Sequence, residues 1–277
     1  MAPLAVMVCS TARAQSILGE AGNFTILGGA AVTSTGVSGT IISGGDVGSA
    51  AAVTGFPPAV VTGTGVVTID PVAVDPALAD LTKVEQDLAA MPNAIDKSGL
   101  DLGGLTLLPG VYSFSSAASL TGVLQLNANG QDNAYWVFQI GSTLTSAANS
   151  SVTLIDPGVL GGSDDGIYWD VGTGITIGAS NQILGNYLAG TSITIGSATS
   201  GSGRALAQAG VSLDANPISS IGGPGGSGWA GALRYNDIGT RIIPVPEPAI
   251  IIWLAIFGGL SAGLLWCRSQ RFTRIVA

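Results

Sequence analysis

The chain has 277 residues, of which 42 are glycine, 9% are charged and none is histidine, and its formal net charge is −8. An apolar fraction of 47% with so few charges excludes ordinary intrinsic disorder. The missing histidine excludes imidazole metal sites and Ser-His-Asp catalysis. The region 15–245, with sixteen acidic and five basic residues, lacks the basic footprint of a nucleic-acid-binding protein.

The first sixteen residues are typical of the end of a secretory signal peptide. An apolar stretch, 4–9, precedes Ala12-Arg13-Ala14, a small-x-small cleavage pattern. No basic segment precedes this stretch, so we expect the true start to lie upstream or to have been assigned wrongly. We therefore predict that residues 1–14 are a signal peptide, removed by signal peptidase.

Short strands separated by glycine are predicted between 22 and 69, and a single helix follows them. Asp75 is the predicted N-cap, Pro76 lies in the first turn and Pro92 ends the helix. Apolar residues recur there at steps of three and four, which predicts one apolar stripe along the helix. The stripe consists of Leu78, Leu81, Val84, Leu88 and Met91. We expect the helix, 76–91, to lie along the wall of a larger body.

An 18-residue period lies between 173 and 221 and predicts the architecture. Ile175, Ile193 and Val211 fall in one column, and a second apolar column follows two positions later. So short a period, with β-branched residues at every second position, is typical of a β-solenoid turn with three sides of about six residues. The inward columns would stack into a core. Five aromatic residues are expected to fill wider coils: Tyr135, Trp136, Phe138, Tyr168 and Trp169.

The same period predicts an outward ladder of hydroxyl groups. With Ile175 and Ile177 inward, Thr176 points outward and stacks with Thr194 and Ser212. Neighbouring coils set such side chains about 4.8 Å apart, and next-but-one residues lie about 6.7 Å apart, spacings close to those of oxygen in ice. The ladder is expected to continue to two further residues, Thr143 and Thr145.

Clustered carboxylates are the one feature that would suit an enzyme or a metal site. Asp156, Asp164, Asp165 and Asp170 lie close in sequence, but basic residues are nearly absent there, so no acid–base pair is discernible. The segment 161–166 has a faint likeness to a calcium-binding β-roll repeat but occurs once, which favours a simple loop. We predict no catalysis, no metal and no cofactor.

The C-terminal region contains a glycine-rich segment and then a sorting segment. Residues 222–244 are predicted to be a flexible linker. Pro246-Glu247-Pro248, an apolar stretch 249–266 and three arginines resemble, in that order, the PEP-CTERM sorting signal of Gram-negative bacteria. The resemblance implies a transmembrane helix, transient inner-membrane insertion and removal of 245–277 by an exosortase. The alternative is a permanent single-pass anchor.

Five segments between Phe24 and Asn216 resemble those of a known protein family. They are FTILGGAAVTSTG, GDVGSAAAVTGFPP, DLGGLTLLPGVYSFSSAASLTG, VFQIGSTLTSAANSSVTL and GRALAQAGVSLDAN. In this order they resemble the ice-binding-like domain of microbial ice-binding proteins. The resemblance implies an all-β fold for 15–221: a right-handed, triangular, discontinuous β-helix with one α-helix alongside. The discontinuity implies that coils from the other end enclose the N-terminal strands.

The ice-binding resemblance also implies a protein that adsorbs to an ice crystal, and the sorting signal implies a secreted or cell-surface location. Members that bind ice carry a loose Thr-Ala/Gly-x-Thr/Asn motif on one flat face. The matching segments here are 146–149, 179–182 and 197–200, and both this set and the Thr176 ladder are expected to be solvent-exposed. We favour this motif set over the Thr176 ladder as the ice-contact site, and its candidates are Ser146, Asn149, Asn181, Ser197, Thr199 and Ser200. Their low threonine content leaves a surface-adhesion or matrix protein on the same scaffold as the alternative.

Overall fold

Neighbouring coils of a β-solenoid pair in parallel along most of the chain. The computed structural model describes residues 16–36, 39–220, 228–236 and 238–246. Seven strands precede the helix: β1 (Phe24–Gly28), β2 (Ala31–Thr35), β3 (Ile41–Ser43), β4 (Asp46–Ser49), β5 (Ala52–Thr54), β6 (Val60–Thr62) and β7 (Val67–Ile69). The helix, α1, runs from Pro71 to Ala89.

The strands after α1 fall into two groups. The first group is β8 (Ile95–Asp96), β9 (Thr106–Leu107), β10 (Gly110–Phe114), β11 (Ala118–Leu120), β12 (Val123–Asn127), β13 (Tyr135–Ile140), β14 (Leu144–Ser146) and β15 (Ser151–Ile155). The second group is β16 (Gly166–Val171), β17 (Ile175–Ile177), β18 (Gln182–Ala189), β19 (Ser192–Ile195), β20 (Ser200–Ala207), β21 (Gly210–Asp214), β22 (Pro217–Ser219), β23 (Leu233–Tyr235) and β24 (Ile242–Pro244).

The solenoid has three faces. The helix face contains β8, β10, β13, β16, the second halves of β18 and β20, and β1, β4 and β7. The hydroxyl face is a separate sheet in the order β11-β14-β17-β19-β21-β2-β5. The third face contains β9, β12, β15, the first halves of β18 and β20, and β22, β3 and β6. Three faces per coil confirm the triangular solenoid predicted from the 18-residue period.

Stacking order departs from chain order, as the discontinuous fold requires. The first coil, β1 to β3, lies between the last coil, β20 to β22, and the next N-terminal strands, β4 to β6. After β7, α1 lies against the wall and leads to β8, which pairs with β10 at the opposite end of the stack. Consecutive coils also stack earlier in the chain, but paired residues are 26 positions apart between β10 and β13 and 31 apart between β13 and β16. Only the last coils keep an offset of 18, so the period is visible only there.

The interior holds the predicted columns. Ile175 pairs with Ile193, and Ile193 with Val211, and all three are at most 2% exposed. Among the aromatic residues, Phe138 stacks on Trp169 with ring centroids 4.0 Å apart, and Tyr112 and Tyr187 extend the stack on either side. Tyr168, by contrast, packs outside the coils, in the cluster beneath the helix. The predicted filling of the coils is confirmed for Trp136, Phe138 and Trp169, whereas Tyr168 and the half-buried Tyr135 belong to the outer cluster.

The helix begins earlier than predicted. Asp70, not Asp75, is the N-cap, and its side chain accepts a hydrogen bond from the Val72 amide. Pro71 takes the first helical position, where a missing N–H costs nothing. Pro76 lies inside the helix, within its second turn. The chain offers two Asp-Pro pairs five residues apart, and the sequence pattern did not distinguish them. The predicted stripe is confirmed, since Leu81, Val84 and Leu88 are fully buried.

The glycine-rich C-terminal segment has regular structure where the structure describes it, so the predicted flexible linker is wrong for 228–236 and 238–244. Trp229 is 5% exposed and joins the interior core, and its indole N–H donates to Ser202. Strands β23 and β24 form an antiparallel hairpin whose Leu233 and Ile242 pack with the helix. Apolar residues between the glycines therefore give this segment a surface to bury.

The predicted signal peptide, 1–14, and transmembrane helix, 249–266, lie outside the described residues. Within the described ranges, no helix is both long enough and apolar enough to cross a membrane.

Candidate functional site

A row of hydroxyl side chains runs up the hydroxyl face, one from each strand. Thr176 pairs with Thr145 on one side and with Thr194 on the other, and Thr194 pairs with Ser212. The register carries the row beyond the predicted ladder. In order, it consists of Ser119, Thr145, Thr176, Thr194, Ser212, Thr33 and Thr54. Six of the seven are exposed and Thr33 is half-buried. The predicted stacking is therefore confirmed for four of the five residues named for it.

The fifth predicted residue, Thr143, does not belong to this row. It precedes β14 by one position, is half-buried, and lies two residues before Thr145. Sequence reasoning missed Ser119, Thr33 and Thr54, because their strands are distant in the chain from the visible repeat. One signal was present: Ala-Ala-Val-Thr occurs at both 30–33 and 51–54, and the structure stacks these two segments on each other.

Small residues flank the hydroxyl row and keep the face flat. The outward positions two residues earlier are Ser192, Gly210, Ala31 and Ala52, which pair in that order. None of these side chains projects far from the sheet. Successive strands lie about 4.8 Å apart, so seven rungs extend over about 29 Å. The result is a regular surface of hydroxyl and methyl groups without a charged residue in its central row.

Carboxylates stand at the margins of this face. At one end, Asp101 accepts hydrogen bonds from the Ser119 and Thr121 hydroxyls, at 2.9 Å each, and from two backbone amides. Its slight burial favours the neutral acid, but the four hydrogen bonds outweigh this and hold the pKa of Asp101 below its ordinary value. Asp214 follows Ser212 by two positions, at the C-terminal end of β21 and to one side of the row. The row itself contains no charged residue.

The residues matched to the family motif do not form a surface. Ser146, Asn181 and Thr199 are 5%, 2% and 0% exposed, so the expected solvent exposure of this set is wrong for these three. Asn149 and Ser197 are exposed at the corners that follow β14 and β19, and Ser200 is half-buried on the third face. A residue with positive φ at the corner, Ser180 at 57° or Ala198 at 57°, turns the next side chain inward.

The buried members of the motif instead build a polar ladder inside one corner of the solenoid. The Ser150 amide donates to Asn181 Oδ1 at 2.7 Å, and the Asn181 amide donates to Thr199 Oγ1 at 3.1 Å. Asn216 Nδ2 then donates to the Thr199 carbonyl at 3.1 Å, and the Asn216 amide donates to Thr40 Oγ1 at 3.3 Å. Each bond joins one coil to the next. This corner ladder fixes the register of the coils, on which the flat face depends.

The ice-binding-like family model matches residues 26–219, which contain the three faces, the hydroxyl row and the corner ladder. The chain belongs to the ice-binding-like family. An ice-binding protein of Nostoc sp. (strain HG1) is 41% identical over 261 residues, which cover 94% of this chain and 88% of that protein.

Two solved structures of ice-binding proteins have the same fold as this ice-binding-like chain. The protein from the Antarctic ascomycete Antarctomyces psychrotrophicus is 33% identical with a TM-score of 0.67, covering 73% of this chain and 96% of that one. The ice-binding domain from Shewanella frigidimarina is 29% identical with a TM-score of 0.65, covering 73% of this chain and 95% of that one. The names of these relatives describe binding to ice and no catalysed reaction.

The clustered carboxylates of this ice-binding-like domain do not converge on one site. Asp156 is exposed, whereas Asp164 and Asp165 accept hydrogen bonds from the Asn133 and Ala134 amides. Burial raises the pKa of Asp165 to about 7, and repulsion from the neighbouring carboxylates adds to the effect. Asp170 lies on the helix face, away from this loop. Across the described ranges, no three His, Cys, Asp or Glu side chains are placed to hold a metal ion.

Proposed function

We propose that the chain binds ice through the hydroxyl face. The observation that carries the proposal is the registered row of seven Ser and Thr side chains, flanked by small residues and uncharged along its length. Membership of the family and the names of the relatives support the same function.

The mechanism follows from the rigidity and spacing of the row. Parallel pairing on both sides holds the five inner strands of the face, so their hydroxyl and methyl groups keep their positions without further ordering when they meet a crystal. Spacings of about 4.8 Å across strands and about 6.7 Å along them allow the face to hold water in an ice-like layer. That layer freezes onto the growing crystal and adsorbs the protein. Because the scaffold is already rigid, the protein loses little conformational entropy when it adsorbs, and this favours binding.

Crystal shaping tests this proposal directly. A single ice crystal grown slowly in the purified protein should become faceted, and annealed polycrystalline ice should coarsen more slowly than in buffer. A crystal that stays disc-like at high protein concentration contradicts ice binding. In that case adhesion to another surface, on the same scaffold, becomes the function to test.

We also propose that the chain is exported and processed at both ends, with 1–14 removed by signal peptidase and 245–277 by an exosortase. Support comes from the order of Pro246, Glu247, Pro248, the apolar stretch and the arginines in the sequence. Mass spectrometry of the extracellular protein should show neither end. Recovery of material that retains 253–266 contradicts exosortase processing and favours a permanent membrane anchor.

A further inference from the structure

A cleft of about 590 Å³ lies between the C-terminal half of α1 and the helix face. The helix contributes Glu85, Gln86 and Ala89, and the wall contributes Asp170 and Gln139 among others. No lysine or arginine is among the lining residues. Pockets of 300–1,000 Å³ are typical of small-molecule sites. The hydroxyl face makes no use of this cleft, so it has no role in the function proposed above.

Asp170 is a buried residue whose carboxylate borders this cleft and has no partner among the described residues. Its strand neighbours Trp169 and Val171 point into the core, so Asp170 points outward, toward the helix and the cleft. The residue is 7% exposed, and no described residue gives its side chain a hydrogen bond or an ion pair. An unpartnered buried carboxylate is costly unless a ligand or a proton compensates it.

A second carboxylate faces the first across the cleft. Glu85 accepts a hydrogen bond from Gln208 on Oε2 at 2.9 Å, while Oε1 is buried without a partner. Burial and the proximity of Glu85 raise the pKa of Asp170 to about 8, and burial raises that of Glu85. The third titratable side chain of the cleft is Asp96, which is exposed and has its pKa lowered by hydrogen bonds from Ser98. The last turn of α1 has no basic residue to offset its partial negative charge.

We propose that this cleft binds a small organic ammonium ion, with its charge between Asp170 and Glu85. A bare calcium ion requires six to eight oxygen ligands, and the described residues bring no three carboxylates together for one. The volume is far larger than a single ion needs, and an aliphatic amine would fill more of it. The helix and the solenoid wall would both contact such a ligand, so its binding stabilises their packing.

Calorimetric titration of the full-length protein with 1,4-diaminobutane tests the proposal, and 1,4-butanediol is the uncharged control. We expect saturable binding of the diamine alone, with proton release near pH 7, because a bound cation keeps Asp170 ionised. Amide shifts in an NMR titration should centre on Gly141, Gly172 and Gly190, which line the cleft.

Matched variants locate the site. Asp170→Asn and Glu85→Gln should each weaken binding by about tenfold or more. Asp156→Asn removes the same charge from an exposed position outside the cleft and should leave binding unchanged. Unchanged circular dichroism shows that the variants fold. Absence of saturable binding, equal binding by the diol, binding of calcium but not of the diamine, or full affinity in a folded Asp170→Asn protein each overturns the proposal. None of these results bears on the hydroxyl face.

Discussion

Thr194→Tyr is the sharpest perturbation of the hydroxyl face, because Thr194 is the middle rung of seven. A tyrosine ring stands roughly 4 Å above the neighbouring side chains, a step comparable to the ~4.8 Å strand spacing. A flat lattice plane could then meet three consecutive rungs instead of seven, about 10 Å of the row instead of about 29 Å. If each rung contributes about 0.4 kcal/mol, the loss of four rungs weakens adsorption by about 1.6 kcal/mol, more than tenfold.

Thermal hysteresis and crystal shaping at matched concentrations measure this loss, and the unfolding midpoint shows whether the fold survives. Thr194 is exposed, so the free energy of unfolding should change by less than about 0.5 kcal/mol. Thr54→Tyr is the matched control at the end of the row. It leaves six rungs and should weaken adsorption only about twofold, or about 0.4 kcal/mol. Equal activity of the two variants, whether retained or lost, would refute the reasoning from the row.

Three further predictions concern stability. Asn181→Ala should lower the free energy of unfolding by about 2–4 kcal/mol in urea titrations, because the buried Ser150 amide loses its acceptor and Ser146 Oγ loses a donor. Exposed Gln182→Ala should change it by less than about 0.5 kcal/mol. The folded-state pKa of Asp165 is about 7, above the ordinary value of 3.8, so folding favours its protonated form. Its contribution to the free energy of unfolding is complete below pH 3.8 and is lost as the pH rises to about 7. Asp165→Asn should therefore remove a fall of up to about 4 kcal/mol across that window, and an unchanged pH profile contradicts this. Trp229→Ala should lower the free energy of unfolding by about 3–5 kcal/mol, whereas Ile238→Ala, at an exposed position of the same segment, should leave it almost unchanged. An unchanged free energy of unfolding for Trp229→Ala would restore the flexible-linker interpretation.

The sequence predicted the features that repeat locally. Ile175, Ile193 and Val211 stand 18 residues apart, so their stacking needs no knowledge of the rest of the chain. The outward position of Thr176 follows from strand alternation alone. Thr33 was inaccessible to this reasoning, because the discontinuous stacking places it beside Ser212, about 180 positions away in the chain, and Thr54 joins the row only through Thr33.

The motif residues were misplaced for a different physical reason. Matching residue types along a segment assumes that alternation continues through it, and alternation stops at a corner. Ser180 and Ala198 adopt positive φ, which leaves Asn181 and Thr199 pointing into the interior. A column of Asn and Thr immediately after each corner is the signal of an internal polar ladder. The partial match to the family motif therefore indicates the fold more than the site.

Stability and the proposed function depend on different atoms of the same strands. In β19, Ile193 and Ile195 are buried in the core while Thr194 between them faces solvent. The corner ladder that follows each strand fixes how far one coil is shifted against the next, and this shift determines whether Thr194 is in line with Thr176. Loss of a corner hydrogen bond should therefore disturb the alignment of the hydroxyl row, although no residue of the row is changed. A substitution in the row should leave the corner hydrogen bonds intact. The buried residues therefore determine how flat the face is, and the exposed hydroxyl and methyl groups determine its affinity for the crystal.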